Sequence, residues 1–369
     1  MTAGRTLDVV FIGLSITSSW GNGHATTYRA LIRALERRGH RVTFLERDVP
    51  WYAGNRDMPA ARYCDIRLYD SLADLRTRFA PLVREADVVV LGSYVPEGIV
   101  AGNWVLDTAG GVTAFYDIDT PVTMAGLARG GCDYVSHELL RGIDLYFSFT
   151  GGPFLTLIQQ SYGIPEVRAL YCSADPEIYR PVDTAPQFDL GYLGTYSADR
   201  QPALEHLLIG AALQWPEGRF SVAGSQYPQQ LRWPDNVRRY EHIPPRAHPE
   251  FYCTQRFTLN LTRADMITAG FSPSVRLFEA AACGVPAISD HWPGLETFFT
   301  PGEEILISRS ARETLDYLTR ITEDRRREIG DNARRRFLEA HTPDHRAVEF
   351  ERPIVDMLQR RCHRRVAAQ

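Results

Sequence analysis

No two of the six cysteines in this 369-residue sequence have the C-x-x-C spacing of zinc and dithiol sites. No apolar run approaches the ~18 residues that are needed to cross a bilayer, and no cationic leader with a cleavage site precedes the first apolar segment. The formal net charge of −4 lacks the basic excess of a duplex-binding surface. These absences predict a cytoplasmic protein without a structural zinc site or a nucleic acid binding surface.

Two common phosphate-binding signatures are also missing. The turn at Gly21, Asn22 and Gly23 contains suitable glycines, but its spacing fits neither G-x-G-x-x-G nor G-x-x-x-x-G-K-[ST]. Neither half of the chain has G-x-G-x-x-G with an acidic residue at the end of the second strand. A dinucleotide-dependent dehydrogenase is therefore disfavoured.

Short apolar runs alternate with amphipathic helices along the whole chain, which is typical of parallel sheets covered by helices on both faces. The length favours two domains. We therefore predict an α/β protein with two Rossmann-like doubly wound domains that face each other and bind ligands at the carboxyl ends of their strands. The predicted strands are 8–14, 41–46, 86–92, 111–117 and 144–149, then 188–194, 219–224, 237–243, 257–262, 286–290 and 304–308.

We infer the domain boundaries from a proline-containing stretch, 179–187, and from a terminal amphipathic segment. Residues 1–178 form the predicted N-terminal domain, and residues 179–342 form the predicted C-terminal domain. Residues 343–369 form a helix that should pack back toward the N-terminal domain. The first helix is marked by Tyr28, Leu31, Ile32 and Leu35 on one face. Further helices are predicted at 201–213, 274–283, 311–320 and 323–340.

The stretch from 268 to 308 has the clearest functional pattern. Ser272 is a good N-cap residue and Pro273 suits the first helical position, so the helix start near Ser274 should attract an anion such as a diphosphate. Glu279 lies off the apolar stripe of this helix, where it could bind sugar hydroxyls, and Arg276 could pair with Glu279 or with a phosphate. A capped helix with a solvated Glu–Arg pair is the alternative.

The segments "SPSVRLFEAAACGVPAISDHWPGLETFFTPGEEILI", "YCSADPEIYRPV" and "FDLGYLGTYSADRQPALEHLL" closely resemble group 1 glycosyltransferases, in particular the branch related to the spore-maturation protein CgeB. The resemblance implies the GT-B fold and a donor site in the second half. Glu279 would contact the ribose, and Ser272, Pro273 and Ser274 would hold the diphosphate. Further donor contacts would come from Gly194 and Thr195, from the main chain of Ile243 at the nucleobase, and from Arg263, which is equally well an ordinary surface arginine.

One position departs from the family pattern. Retaining relatives have a second glutamate eight residues before the one that matches Glu279, and this chain has Phe271 there. The identity of the sugar and the stereochemistry of transfer are therefore left open.

The turn in the first half offers a candidate base. Gly21 and Gly23 would allow close backbone approach to a ligand, with Asn22 between them. His24 follows at the start of a helix, and a histidine there can deprotonate an acceptor hydroxyl because its pKa lies near the operating pH. The alternative is that His24 caps or packs the helix start.

Asp117 and Asp119 end a buried strand and spell D-x-D, the metal signature of GT-A glycosyltransferases. Alternate residues of a strand share a side, so the pair could serve as the base, orient His24, hold a metal ion or cap a turn. Ser93 and Glu97, after the preceding strand, are further candidates for acceptor contacts.

The sequence thus predicts a nucleotide-sugar-dependent, metal-independent glycosyltransferase with His24, Asp117 or Asp119 as base and no cofactor beyond the co-substrate. The acceptor is not identified. A sugar-nucleotide epimerase or hydrolase, a metal-dependent GT-A enzyme and a catalytically silent nucleotide-sugar binding protein remain as alternatives.

Overall fold

The computed structural model describes residues 5–367, and it describes side chains as far as residue 363. Its two compact units are Ser173–Thr342 and the chain on either side of that segment. The division lies after Cys172, whereas the sequence places it after residue 178. The Ser173 hydroxyl donates to the carbonyl oxygen of His341 at 2.5 Å, within the second unit. Within the described residues, no helix has the length and apolar character to span a membrane.

The first unit is built on a parallel sheet whose seven strands, among the described residues, have the order β3-β2-β1-β4-β5-β6-β7. Its central strands are buried along almost their whole length, which is why they read as continuous apolar runs in the sequence. The strands are β1 Asp8–Gly13, β2 Arg41–Arg47, β3 Asp65–Tyr69, β4 Val88–Gly92, β5 Val112–Asp117, β6 Leu145–Ser148 and β7 Glu166–Ala169.

Helices cover both faces of this sheet. In the first of them, the predicted stripe is buried, and the ring of Tyr28 packs edge-on against Phe11 and Phe44, with ring centroids 5.9 and 5.2 Å away. The helices are α1 His24–Arg37, α2 Pro50–Ala53, α3 Leu72–Glu85, α4 Gly98–Thr108, α5 Thr120–Ala128, α6 His137–Gly142 and α7 Phe154–Tyr162.

The second unit has a parallel sheet of six strands in its described residues, in the order β10-β9-β8-β11-β12-β13. The strands are β8 Phe188–Leu193, β9 Phe220–Ala223, β10 Val237–Tyr240, β11 Gln255–Asn260, β12 Ala287–Ser289 and β13 Leu306–Ile307. The helices are α8 Gln201–Leu204, α9 Gly210–Gln214, α10 His248–Cys253, α11 Ala264–Ala269, α12 Val275–Ala282, α13 Ala311–Arg320 and α14 Glu323–Ala340, with a π turn at Glu205–Ile209 that joins α8 to α9.

The terminal helix, α15 Pro343–Ala367, belongs to the first unit. Ala347, Phe350 and Ile354 are fully buried on one face of this helix. The ring of Phe350 stacks on those of Phe11 and Phe147 at centroid distances of 5.7 and 5.1 Å, so α15 helps to cover the sheet of this unit.

All eleven predicted strands have counterparts, and the prediction of two doubly wound α/β domains is confirmed. The sequence missed β3 and β7. Both are edge strands with alternate exposed positions, so they lack the continuous apolar run that marks the inner strands. Strand β10 ends at Tyr240 rather than at residue 243, which leaves Ile243 in the connection to α10.

Candidate functional site

Three arginine side chains lie near one another in the second unit. Arg200 ends the loop after β8, Arg263 follows β11, and Arg276 lies in the first turn of α12. Burial lowers the pKa of Arg200, Tyr192 opposes that shift, and the charges of Arg276 and Arg263 lower the pKa further. Mutually repelling guanidinium groups beside a helix amino end are matched in charge and geometry to an anionic oxygen ligand such as a diphosphate.

Arg200 and Arg276 are anchored by the backbone. The Nη2 of Arg200 donates to the carbonyl oxygen of Thr195 at 2.9 Å, and its Nε is buried without a hydrogen-bond partner. Arg276 donates to the carbonyl oxygen of Leu261 at 3.1 Å, and its guanidinium lies 5.4 Å from the centroid of the Tyr192 ring. Arg276 therefore does not form the expected pair with Glu279. The open N–H of Arg200 could be satisfied by a ligand oxygen.

Arg263 and the loop after β8 are joined through an acid. The Nε of Arg263 lies 3.5 Å from Asp199 Oδ2, and both side chains are about one third exposed, at 33%. At the start of the loop, a Cβ on Gly194 would lie 2.6 Å from the Tyr192 hydroxyl, and Tyr227 donates to the Gly194 carbonyl oxygen at 3.2 Å. Packing against Tyr192 therefore explains the glycine at position 194 without a bound ligand.

The start of α12 differs from the prediction. The helix begins at Val275 with an extended Ser274 as its N-cap residue, so Ser272 is not the N-cap and Pro273 is not in the first turn. Ser272 is fully buried, and its hydroxyl donates to the Gly270 carbonyl oxygen at 2.7 Å. That bond holds Ser272 in the preceding loop and leaves Ser274 as the hydroxyl nearest to the amino end of the helix.

Phe271, in the same loop, has a positive φ of 46°. A large aromatic residue rarely adopts this left-handed conformation, which costs roughly 1–3 kcal/mol and persists only where its surroundings enforce it. The Phe271 N–H donates to the Pro293 carbonyl oxygen at 2.7 Å, and the ring covers Gly294, where a Cβ would lie 2.5 Å from the ring. A half-buried aromatic ring thus stands close to the amino end of α12.

Glu279 faces inward from α12 and is 2% exposed. The Tyr252 hydroxyl donates to its Oε2 at 2.7 Å, and His248 Nδ1 lies 4.0 Å from its Oε1. The other ring nitrogen of His248 is 3.0 Å from the carbonyl oxygen of Ile243. Glu279 is therefore not a solvated residue. His248 lies between this carboxylate and the carbonyl oxygen of Ile243, in the backbone segment that the family resemblance assigns to the nucleobase.

The glycine-containing turn of the first unit is fixed by its own side chains. Asn22 is buried and donates to the carbonyl oxygens of Ser15 and Ser18 at 3.1 Å each, while its Oδ1 accepts from the His24 N–H at 3.1 Å. Asn22 thus holds the turn rather than a ligand. Gly21 has a φ of 60°, which explains the glycine, and its α-carbon faces open space.

The buried carboxylate of Glu46, near the end of β2, holds the first part of this loop. It accepts hydrogen bonds from the N–H groups of Ile16 and Thr17, at 2.7 and 3.0 Å, and from the hydroxyls of Ser15 and Thr17, at 2.9 and 2.6 Å. Sequence reasoning missed this residue. A lone glutamate within an apolar strand was its only signal.

His24, Tyr94 and Asp119 lie together in the first unit. The His24 and Tyr94 rings are 5.4 Å apart, and the Tyr94 hydroxyl donates to Asp119 Oδ2 at 3.0 Å. Burial lowers the pKa of His24, and the charge of Asp119 partly opposes that shift. A neutral imidazole beside a carboxylate has the properties of a general base. Tyr94, with a φ of 61°, was also missed from the sequence.

Asp117 does not share an open site with Asp119. It is fully buried, and it accepts hydrogen bonds from the Tyr146 hydroxyl at 2.5 Å, the Thr123 hydroxyl at 2.9 Å and the Asp119 N–H at 3.0 Å. Burial raises its pKa to about 6, although these hydrogen bonds oppose the shift. The contacts match the turn-capping alternative for Asp117, and Asp119 remains the more accessible acid.

Two other acceptor-side candidates have structural partners. Ser93 is fully buried, and its hydroxyl accepts from the Ile118 N–H at 3.2 Å, so a ligand in solvent cannot reach it. Glu97 is exposed and pairs with Arg47. Across residues 5–363, no three His, Cys, Asp or Glu side chains form a group that could hold a metal ion.

Comparisons with known proteins agree with this architecture. Residues 200–352 match the model of a family described as glycosyl transferase-like. None of the curated proteins matches the chain.

Among solved structures, a sucrose-phosphate synthase from Thermosynechococcus elongatus is similar over 98% of this chain and 100% of its own, with 16% identity and a TM-score of 0.64. HepE of Anabaena, solved with UDP-glucose, matches over 96% and 99%, with 12% identity and a TM-score of 0.65. An alpha-glucosyltransferase in complex with UDP and DNA matches over 96% and 100%, with 12% identity and a TM-score of 0.68. The family match and the shared fold identify the chain as a glycosyltransferase with the GT-B fold.

Proposed function

We propose that this protein transfers a sugar from a uridine diphosphate sugar to an acceptor hydroxyl, and that it belongs to the CgeB-like branch of the group 1 enzymes. The arginine cluster of Arg200, Arg263 and Arg276 is the observation that carries the proposal. Two similar structures contain UDP or UDP-glucose, which supports a uridine nucleotide as the donor. Glu279 and its buried network would bind the ribose and base side of the nucleotide.

The arginines also bear on the leaving group. When the bond between the sugar C1 and the diphosphate oxygen breaks, negative charge grows on the diphosphate. Three guanidinium groups and the amino end of α12 can stabilise that charge, so we propose that no metal ion is required. The acceptor oxygen forms the new bond to C1, and His24 would take its proton.

Thermal unfolding with UDP and with UDP-glucose tests the donor assignment. A ligand at 100 times its dissociation constant should stabilise the native protein by about 2.7 kcal/mol. Arg200→Ala should weaken UDP binding by about 10- to 100-fold, because a charge-assisted contact is lost. Arg320→Ala, which removes an exposed arginine of the same unit, is the matched control and should bind UDP as the native protein does. Equal binding by the Arg200 variant would contradict the assignment.

Product analysis tests the reaction class. UDP release that depends on an added acceptor supports transfer, whereas rapid release from donor alone indicates a hydrolase. Tight UDP-glucose binding without turnover across a broad acceptor panel would indicate a binding protein. Activity that persists in excess chelator supports metal independence, and activity that chelator abolishes contradicts it.

A further inference from the structure

Two tryptophan side chains of the first unit are strongly exposed. Trp20, in the loop after β1, is 43% exposed, and Trp51, in α2 after β2, is 54% exposed. Strands β1 and β2 are parallel neighbours, so both tryptophans follow strand ends at the same edge of the sheet. Large exposed aromatic side chains in adjacent loops mark an interaction surface more often than isolated exposed residues do.

Hydrogen bonds connect the two loops. The Trp20 N–H donates to Ser18 Oγ at 3.3 Å, and that hydroxyl donates to the carbonyl oxygen of Asn55 at 2.8 Å. The Asn55 side chain in turn donates to the Trp51 carbonyl oxygen at 2.9 Å. The backbone that carries the tryptophans is thus held in place, and the exposed rings are presented by a preorganised surface.

Asp57 also holds the backbone next to Trp20 in place. It accepts from the Ser19 N–H at 2.9 Å and from both Nη atoms of Arg29, at 2.8 and 2.9 Å, while Arg29 Nε donates to the Ile16 carbonyl oxygen at 2.9 Å. The residue immediately before Trp20 is therefore tied to α1 as well as to the loop after β2.

Three arginines of these loops and the elements beside them are paired with acids, in the ion pairs Arg29–Asp57, Arg56–Asp48 and Arg47–Glu97. Binding to an anionic lipid surface needs a cluster of uncompensated basic side chains, at about 1 kcal/mol for each. A surface with paired charges, exposed aromatic rings and hydrogen-bonding groups favours an uncharged polar ligand instead.

We propose that Trp20 and Trp51 stack against sugar rings of the acceptor, so that the acceptor is a glycan rather than a simple alcohol or a lipid. One face of a pyranose ring carries mainly C–H groups with partial positive charge, which pack well on the electron-rich face of an indole. The ring hydroxyls stay available to water and to polar loop groups. This inference rests on the proposed function. Trp20 lies four residues before His24, in the turn that leads into α1 and the proposed base.

The test is saturation-transfer NMR and calorimetric titration of the full chain with maltotriose, cellotriose and chitotriose. We expect at least one trisaccharide to bind. The Trp20→Ala and Trp51→Ala variants should each weaken that binding by about tenfold or more, and Trp20→Tyr should retain most of it, because an aromatic face is preserved. Leu157→Ala is the control, since Leu157 is a 56% exposed apolar residue elsewhere in the same unit.

Donor binding separates this inference from the proposed function. If UDP stabilises the native protein and both tryptophan variants equally, but no trisaccharide binds, the glycan platform is wrong and the transferase assignment stands. If UDP and UDP-glucose do not bind at all, the proposed function fails. Co-sedimentation with phosphatidylglycerol–phosphatidylcholine vesicles that disappears in Trp20→Ala would overturn the inference in favour of a membrane surface.

Discussion

The loops that follow the first strands of the two units differ in charge although they occupy equivalent places in the fold. The loop after β1 is built around a buried acid, Glu46, which accepts from backbone and hydroxyl donors. The loop after β8 ends at Arg200, whose Nε is buried without a hydrogen-bond partner. Ser15, Ile16 and Thr17 of the first loop thus donate to a buried acid of β2, whereas the second loop ends in a guanidinium N–H without a partner.

This difference suggests that the two units bind different ligands, which their shared topology alone does not specify. An open guanidinium suits a diphosphate, which brings its own negative charge and several acceptor oxygens. The loop after β1, which Glu46 holds through hydrogen bonds, contains no basic side chain. It can hold a neutral His24 and the exposed Trp20 in fixed positions. We therefore expect the two units, which share one architecture, to bind ligands of different charge.

The sharpest test of the division is His24→Ala. Loss of a general base should lower turnover by about 100- to 10,000-fold, while UDP affinity should stay unchanged because the proposed donor contacts lie in the second unit. Initial rates and calorimetric UDP binding would check both halves. A variant that turned over normally but bound UDP weakly would reverse the assignment of the two units.

The pH profile offers a control that leaves His24 in place. Because the charge of Asp119 raises the pKa of His24, Asp119→Asn should lower that pKa. The acidic limb of the kcat/KM profile should then move to lower pH. A limb that did not move, or moved upward, would show that a different group acts as the base.

A second, smaller effect concerns the stability of the first loop. Glu46→Ala leaves two backbone N–H groups and two hydroxyls without their acceptor and should cost about 3 kcal/mol or more. Asp57→Ala removes an acid of the loop after β2 that accepts from the Ser19 N–H, but its side chain is 37% exposed, so the cost should stay below about 1 kcal/mol. Similar losses in chemical denaturation would contradict the view that the buried acid organises the loop.

Much of the fold could be predicted from the sequence, because strands buried on both faces must be apolar. The runs that became β1 and β4 had no polar interruption, whereas the edge strands β3 and β7 alternate and escaped notice. Helix α12 was predicted to within about one turn. The N-cap residue differs, because the Ser272 hydroxyl bonds to the Gly270 carbonyl oxygen and Ser274, rather than Ser272, precedes the first helical residue, Val275.

The site was less predictable, because its key contacts join distant segments. Glu46 and Tyr94 carry no local motif, and their roles emerge only when β2 and β4 place them beside the loop after β1 and beside Asp119. Asp117 and Asp119 match a metal motif, yet the hydrogen bonds from Tyr146 and Thr123 occupy the first acid. Arg200 was overlooked because an exposed-looking loop arginine is usually solvated.

On the donor side, Glu279→Ala should weaken UDP binding by about tenfold and also destabilise the second unit by about 1–3 kcal/mol, because the buried Tyr252 hydroxyl loses its acceptor. The double variant with Tyr252→Phe separates the two effects, since it removes the stranded hydroxyl. Stability should then recover in part while UDP affinity stays low. Recovery of both in thermal and calorimetric measurements would mean that Glu279 acts only through packing.

The smallest expected effect is on the pH dependence of stability, which should differ between two acids of the first unit, Asp117 and Asp57. Burial raises the pKa of Asp117 to about 6, so its contribution to stability is present at low pH and is lost as pH rises through that value. For Asp57, burial acts in the same direction, but the hydrogen bonds and charge of Arg29 prevail and lower the pKa to about 2. Its contribution is present above the unfolded pKa and is lost as pH falls.

Asp117→Asn should therefore gain stability relative to the native protein between about pH 4 and pH 8, by no more than ~3 kcal/mol. Asp57→Asn should be most costly at neutral pH and nearly silent near pH 2. Urea midpoints measured across this range compare each variant with the native protein at the same pH, so constant geometric effects cancel. If the stability of both variants changed in the same direction with pH, the hydrogen bonds to Asp117 would outweigh its burial. Its pKa would then lie below the usual value, as the pKa of Asp57 does.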